Sequence, residues 1–370
     1  MTKKFISKKV NNMDVSGVRA MFEMASKIQN PINLTLGLPD FDVPEEIKQE
    51  AINHITQGNN QYTPTTGIPE LKNKIKEKLK TKNNIIATED QIIITSSVSG
   101  ALSITLTTIL NPEDEVILFD PYFVGYKQTI IQNQAIPIFV NLNKNFSINF
   151  EELKNKITKK TKAILINTPG NPTGYICTKQ ELEQLAEIAK QHELLIISDE
   201  IYEDFTYEKK HFSIGSIYEN TLTLNGFSKS CAMTGWRVGY LTGPQEIINA
   251  CIKVQQFNFV CAPTPFQYAA IKALDIDLKP KVKEYKEKRD IIYNGLKNTY
   301  KLDKPEGAFY AFVKYPYNKE QFIKNCLKNN LLIVPGKVFS EKNTHFRISF
   351  ANKNEILNKA IKILNQISKE

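Results

Sequence analysis

Seven short apolar runs, QIIIT, EVILF, AIPIFV, KAILIN, LLIIS, TLTLN and VGYLT, recur between Gln91 and Thr242, and helix-length amphipathic segments such as Thr178 to His192 separate several of them. Runs this short suit strands buried on both faces. Their alternation with helical segments predicts βαβ units, and so an α/β fold built on a mainly parallel sheet covered by helices.

The flanking segments read differently. Asp14 and Ser16 can cap a helix over Val18 to Ile28, and a second helix is expected from Pro44, where Glu45 and Glu46 favour the N-terminus. Between them INLTLGLPDFDVP predicts a short strand and a Gly/Pro loop. From Thr264 a lysine-rich helical pattern runs towards Lys297, followed by AFYAFV, LLIVP, HFRISF and a terminal helix near Glu355 to Ile367. That tail predicts a smaller α+β lobe. Only 16 Gly and 17 Pro in 370 residues leave no linker-rich hinge, so the lobes are expected to pack intimately.

The formal charge of +9 conceals an imbalance, because only four of the 48 basic residues are arginine: Arg19, Arg237, Arg289 and Arg347. Nucleic-acid surfaces lean on arginine for bidentate and stacking contacts, so no nucleic-acid partner is expected. The five cysteines are odd in number and contain no CxxC pair, which argues against a disulfide framework or zinc ribbon and fits a cytoplasmic location. No signal peptide is expected, since MTKKFISKKV has no apolar run behind its charges. The uncharged stretch Gln91 to Pro112 is broken by Ser, Thr and Gly, and reads as strand, loop and buried helix rather than a membrane span. His54, His192, His211 and His345 show no metal-ligand spacing.

Ligands of open parallel sheets sit beyond the carboxyl ends of the strands, which directs attention to the residues after each apolar run. SSVSGAL can present backbone N–H groups at a helix N-terminus to a phosphate, although Ser and Gly in a βα loop can equally be simple caps. Asp199 ends an apolar strand, where a carboxylate needs a cation or donors, and Tyr202 follows one helical turn later. Lys229 lies in a Gly/Ser loop with apolar residues behind it, where burial would favour the neutral, nucleophilic amine. Eight residues on, Arg237 supplies a rigid partner for a phosphate dianion. An imine-forming lysine, a carboxylate for a ring nitrogen, a phenol and a phosphate cradle are together the demands of pyridoxal 5′-phosphate.

The blocks YTPTTGIPELKNKI, TPGNPTG, SDEIY and SKSCAMTGWRVGY resemble the signatures of the class I and II aminotransferases, fold-type I pyridoxal-phosphate enzymes of the aspartate and aromatic aminotransferase kind, and the resemblance runs from about Gly17 to Arg347. It implies a large cofactor-binding domain over residues 44–270 and a small domain from the N-terminal arm, 1–43, and the segment 271–370. It implies that Lys229 holds the internal aldimine, that Asp199 pairs with the ring nitrogen and that Tyr202 and Asn171 bond the ring oxygen. The phosphate would be held by Arg237, Ser99, the backbone around Val98, and Ser228, while Phe123 stacks on the ring. Arg347 would clamp the substrate carboxylate with Asn171, under a loop carrying Gly37. Tyr62 would reach the phosphate in the partner of a homodimer. Two positions depart from the strongest family patterns: SSVSGAL lacks a double glycine, and Gly226 stands where some members have Ser.

The activity implied is transfer of the amino group of an L-amino acid to a 2-oxo acid such as 2-oxoglutarate, in a ping-pong cycle. Aromatic, aspartate and broad specificity all remain open. A carbon–sulfur β-lyase on the same scaffold would use the same Lys229, Asp199 and Arg237.

Overall fold

The structure, a computed structural model, describes residues 5–14 and 30–369. The helix expected over Val18 to Ile28, its cap Ser16, and Arg19 lie outside the described residues. The described strands are, in chain order, β1 (Ile32–Asn33), β2 (Ile92–Thr95), β3 (Glu115–Asp120), β4 (Ile136–Asn141), β5 (Thr161–Asn167), β6 (Leu195–Asp199), β7 (Thr221–Gly226), β8 (Gly239–Thr242), β9 (Tyr310–Lys314), β10 (Leu331–Leu332), β11 (Val334–Pro335) and β12 (His345–Ser349).

Each of the apolar runs between Gln91 and Thr242 forms one strand of a single sheet, ordered β2-β8-β7-β6-β5-β3-β4. Only β8 runs antiparallel to its neighbours, and the remaining pairs are parallel. Period-two alternation explains how runs of Ile, Val and Leu serve both faces at once. Val116, Leu118, Leu165 and Ile197 pack with Ala101, Ile104 and Leu106 of the helix Ser97–Ile109. Their chain neighbours Ile117, Ile164 and Ile196 pack against Leu182, Leu185 and Ile188 of the helix Lys179–Gln191. Each fully buried Leu or Ile contributes roughly 1.5–3 kcal/mol relative to exposure, so neither face can be left to water. Thr178 and Glu181 form a reciprocal capping box that fixes where the Lys179–Gln191 helix begins.

The C-terminal segment makes its own antiparallel sheet, β11-β12-β9. The chain's early part joins it, with β1 parallel to β10 and Leu34 in one core with Phe309, Phe346 and Phe350.

Two helix expectations change in detail. The pattern from Thr264 to Lys297 is two helices, Thr264–Ala273 and Lys279–Leu296, because Pro280 is tolerated in a first helical turn and not in a helix interior. Pro44 is the N-cap of Glu45–Thr56 rather than its first residue.

At the end of β7, Gly226 lies so close to β8 that an added Cβ would sit 2.8 Å from the Gly239 Cα and 3.0 Å from the Val238 carbonyl oxygen. A Cβ on Gly239 would in turn sit 2.8 Å from the Ser97 backbone carbon. The departure noted at Gly226 is therefore a packing requirement, which keeps β7, β8 and the loop at Ser97 in contact. We predict that Gly226→Ala lowers stability by about 1–3 kcal/mol through overpacking, seen as a lower urea midpoint with an unchanged slope; an unchanged midpoint would contradict this packing account.

Candidate active site

The carboxyl ends of β5, β6 and β7, with the start of the helix Ser97–Ile109 and the loop after β1, enclose a cavity of about 540 Å³. Of the site residues expected from sequence, Lys229, Asp199, Tyr202, Asn171, Arg237, Ser228, Val98, Ser99, Phe123, Arg347 and Gly37 all line it. Tyr62 does not; its side chain is 82% exposed.

Asp199 is buried at the end of β6 and accepts hydrogen bonds from Tyr126 Oη at 2.7 Å and the Ile201 N–H at 3.1 Å. Burial outweighs these bonds and pushes its carboxyl up to about 6. Even so, it is mostly ionised at neutral pH, and no cation lies within ion-pair distance of it among the described residues. A protonated ring nitrogen is the kind of partner this carboxylate lacks.

Lys229 donates from Nζ to the Gly37 carbonyl oxygen at 2.7 Å, which draws the loop after β1 over the cavity. Its pKa is lowered to about 8, chiefly by burial and then by the charge of Arg347, with Arg237 adding and Asp199 opposing. The amine is thus available in neutral form near physiological pH.

Arg237 donates to the Thr234 carbonyl oxygen at 2.8 Å and, through Nη2, to Ser97 Oγ. Ser97 is the first residue of the Ser97–Ile109 helix, whose first turn carries no acidic residue. This combination of guanidinium, hydroxyl and helix N-terminus is an anion cradle. Ser97 (φ 65°) and Arg237 (φ 56°) both adopt the left-handed backbone region, a cost of about 1–3 kcal/mol each that only a tightly packed surrounding sustains.

Arg347, on β12, is 2% exposed and donates to Asn171 Oδ1 at 3.0 Å and the Thr35 carbonyl oxygen at 2.7 Å. Its guanidinium carbon lies 4.4 Å from the Tyr310 ring centre and 4.7 Å from that of Phe339, and its Nε has no hydrogen-bond partner. Asn171 is itself held by its backbone N–H donating to Asn167 Oδ1 at 2.8 Å. Tyr202 shares a hydrogen bond of 2.9 Å with the Tyr310 hydroxyl. Phe123 sets its ring edge-on to Tyr126, 5.3 Å between centres.

Three residues escaped the sequence reading. Ser97, rather than Ser99, contacts Arg237, because the helix begins one residue after Ser96. Tyr126 lies in the helix Val124–Gln132, three residues beyond its N-cap Phe123, a spacing that was available as a signal. Tyr310 stands in GAFYAF, and nothing local distinguishes it from a core aromatic.

Four charged groups thus converge with no ion pair among them and any described residue. Their pattern of one anion and three cations suits pyridoxal phosphate together with an amino acid carboxylate: Asp199 for the ring nitrogen, Lys229 for the aldehyde, the Ser97 and Arg237 cradle for the phosphate, and Arg347 for the carboxylate.

The profile of the family described as aminotransferase class I and II matches residues 29–364. The chain belongs to that family. A probable aspartate aminotransferase of Methanocaldococcus jannaschii is 40% identical over 98% of this chain and 99% of its own. The aromatic-amino-acid aminotransferase 2 of Thermococcus litoralis is 36% identical over 99% and 98%. Among solved structures, the aspartate aminotransferase from Thermus thermophilus with maleate superposes with a TM-score of 0.94 at 33% identity, covering 98% of this chain and 99% of that one. The chain is accordingly a fold-type I, pyridoxal-phosphate-dependent aminotransferase acting on amino acids and 2-oxo acids.

The depressed Lys229 pKa sets a pH profile. Capture of the cofactor aldehyde needs the neutral amine, so the rate at which cofactor-free aminotransferase takes up pyridoxal phosphate should rise with pH through about 8 and level off above it. A rise deferred towards a lysine's ordinary 10.5 would show that the amine is not desolvated as described.

Proposed function

We propose that this aminotransferase prefers L-amino acids with aromatic or other apolar side chains as donors, with a 2-oxo acid such as 2-oxoglutarate as acceptor. The observation that carries this reading is the cavity's inventory of cations. Among the described residues lining it these are Lys229, Arg237 and Arg347, each matched to the aldehyde, the phosphate or the α-carboxylate. None is left for the distal carboxylate of aspartate, whereas Leu36, Leu38, Val98, Val124 and Tyr310 offer apolar surface.

Bound pyridoxal phosphate supplies an aldehyde that accepts the substrate amine and a ring that accepts the electron pair left when the Cα proton departs. The chain supplies the rest. Arg347 and Asn171 hold the α-carboxylate and so fix the orientation of the Cα–H bond. Lys229 Nζ, with about half its population neutral at pH 8, takes the Cα proton and would deliver it to the carbon that was the cofactor's aldehyde, so that hydrolysis releases the 2-oxo acid and leaves the amino group on the cofactor. Tyr126 and the Ile201 N–H keep Asp199 oriented, and Tyr310 couples the Tyr202 phenol to the Arg347 clamp. Gly37 and its neighbours cover the cavity and exclude water.

We further infer a homodimer in which Tyr62 enters the partner's site. Support comes from its 82% exposure, with Phe257 and Val260 also exposed nearby in sequence to Thr264, whose hydroxyl holds the Gln61 carbonyl. The division into a large domain of residues 44–270 and a small domain from 1–43 with 271–370 is our reading of the separate sheets and of the β1–β10 pairing. A cytoplasmic location is likewise inferred. All five cysteines are free, and among the described residues no helix is long and apolar enough to cross a membrane.

Glutamate formation from 2-oxoglutarate, compared for L-phenylalanine, L-tyrosine and L-aspartate, tests the preference. The aromatic donors should exceed aspartate in kcat/KM by roughly tenfold or more; an advantage for aspartate would overturn it, and steady release of pyruvate and ammonia from a β-substituted amino acid would favour the lyase alternative. Arg347→Ala should cost roughly a hundredfold or more in kcat/KM, chiefly through KM, with the cofactor retained; loss of the cofactor instead would mean that Arg347 serves the phosphate.

A further inference from the structure

The loop between β1 and the helix Glu45–Thr56 supplies Thr35, Leu36, Gly37 and Leu38 to the catalytic cavity. Its first end is firm. Thr35 donates through its N–H and its hydroxyl to Asn33 Oδ1, at 2.9 and 2.6 Å, and its carbonyl oxygen accepts from Arg347 at 2.7 Å. From Leu36 to Pro39, by contrast, the one main-chain group with a hydrogen-bond partner among the described residues is the Gly37 carbonyl, and that partner is Lys229 Nζ. A nitrogen that must bond the cofactor aldehyde and then reach the Cα proton moves in every cycle. It cannot be the permanent anchor of the loop that covers it.

The far end of the span has an anchor of its own. Lys281, Tyr285 and Lys288, spaced four and three residues apart, share one face of the helix Lys279–Leu296, and Asp40 and Phe41 rest on it. The Asp40 N–H donates to Tyr285 Oη at 3.0 Å, the Tyr285 hydroxyl donates back to Asp40 Oδ1 at 2.6 Å, and Lys288 Nζ pairs with Asp40 Oδ2. The Phe41 ring stands edge-on to Tyr285, 6.1 Å between centres, with Lys281 Nζ 4.9 Å from its own centre.

These helix residues are buried far beyond what an ordinary helix surface needs. Tyr285 is fully buried and Lys288 is 4% exposed. A hydroxyl and an ammonium taken out of water are costly unless partnered, and Asp40 answers both, with Glu284 as the second partner of Lys288 at 2.7 Å. Tyr285 also packs against Phe309, 5.7 Å between ring centres, and Phe309 stands edge-on to Tyr202 at 5.3 Å. The helix that holds the loop thus also backs the cavity wall carrying the Tyr202 phenol.

We propose that Asp40, Tyr285 and Lys288 are positioning residues for the transamination, which hold the span Leu36–Pro39 over the bound amino acid while Lys229 is away from the Gly37 carbonyl. None of the three lines the cavity. They act through the loop, and so set how tightly the amino acid is retained rather than how fast its proton moves, because apparent affinity falls with the fraction of molecules whose loop is in place. The inference concerns any amino acid donor and stands apart from the preference proposed above.

The test compares the cofactor-loaded wild type with Tyr285→Phe, which removes only the hydroxyl, and with Asp40→Asn, which keeps the side chain's shape and removes the charge that faces Lys288. The Asp40 side chain is partly exposed, so this second variant keeps the test open if the buried Tyr285→Phe fails to fold. L-Phenylalanine and L-aspartate each serve as donor with 2-oxoglutarate, so the outcome does not depend on which is preferred. For both donors KM should rise about tenfold, with kcat within about twofold and the cofactor retained. A second readout involves no turnover: borohydride should bleach the cofactor absorbance of the resting variants severalfold faster than that of wild type, because the loosened loop admits solvent and solutes to the cavity. A purely structural role would lower the thermal midpoint and move neither quantity. The proposal is overturned if KM stays within about twofold of wild type, if the loss falls on kcat at unchanged KM, or if bleaching is no faster in the variants.

Discussion

Charges buried without partners govern this structure. Asp199, Lys229, Arg237 and Arg347 meet in one cavity with no ion pair to any described residue; for the buried Asp199 and Arg347 such desolvation costs several kcal/mol each, while Lys229 and Arg237 are partly buried. The chain meets that cost with directed dipoles: a phenol and an N–H on Asp199, carbonyl oxygens on all three cations, and two aromatic faces on Arg347. These contacts hold the groups in place without neutralising them. Full neutralisation is left to a ligand that brings a ring cation, a phosphate and a carboxylate.

The fold exists in the form required to hold those charges still. Parallel strands with both faces buried deliver Asn167, Asp199 and the Lys229 turn to one edge of the sheet, and the reversed strand β8 brings Arg237 back beside Ser97. Glycines at 226 and 239 allow that close approach. Behind Asp199 the next residue, Glu200, points to another environment, where Ser198, Ser213 and His211 all bond its carboxylate. Arg289, fully buried, is bound by Glu208 and the Pro305 carbonyl and takes no part in the cavity.

Much of this was legible in the sequence, for identifiable reasons. Strand runs such as KAILIN and LLIIS have a single apolar solution, and Thr178 with Glu181 marks its helix start by local chemistry alone. Lys229, Asp199 and Arg237 were found because their surroundings in sequence are also their surroundings in space. Ser97 was missed by two residues, since backbone that turns left-handed at the helix start decides which hydroxyl faces Arg237. Tyr310 reaches the site from a strand more than a hundred residues after Tyr202, through a tertiary contact that no local pattern encodes. The break between Ala273 and Lys279 was hidden by a lysine-rich rhythm that both helices share, with only Pro280 to announce it.

The central claim is that Lys229 sits in this cavity to move one proton at the Cα of a cofactor-bound amino acid. It is tested most directly by mixing cofactor-loaded enzyme with L-phenylalanine in the absence of any 2-oxo acid, and following cofactor absorbance, 2-oxo acid and ammonia together. The account predicts one equivalent of 2-oxo acid per chain, a single change in absorbance, no ammonia, and none of this in Lys229→Ala. Sustained ammonia release, or the same stoichiometric conversion at an undiminished rate in Lys229→Ala, would contradict it.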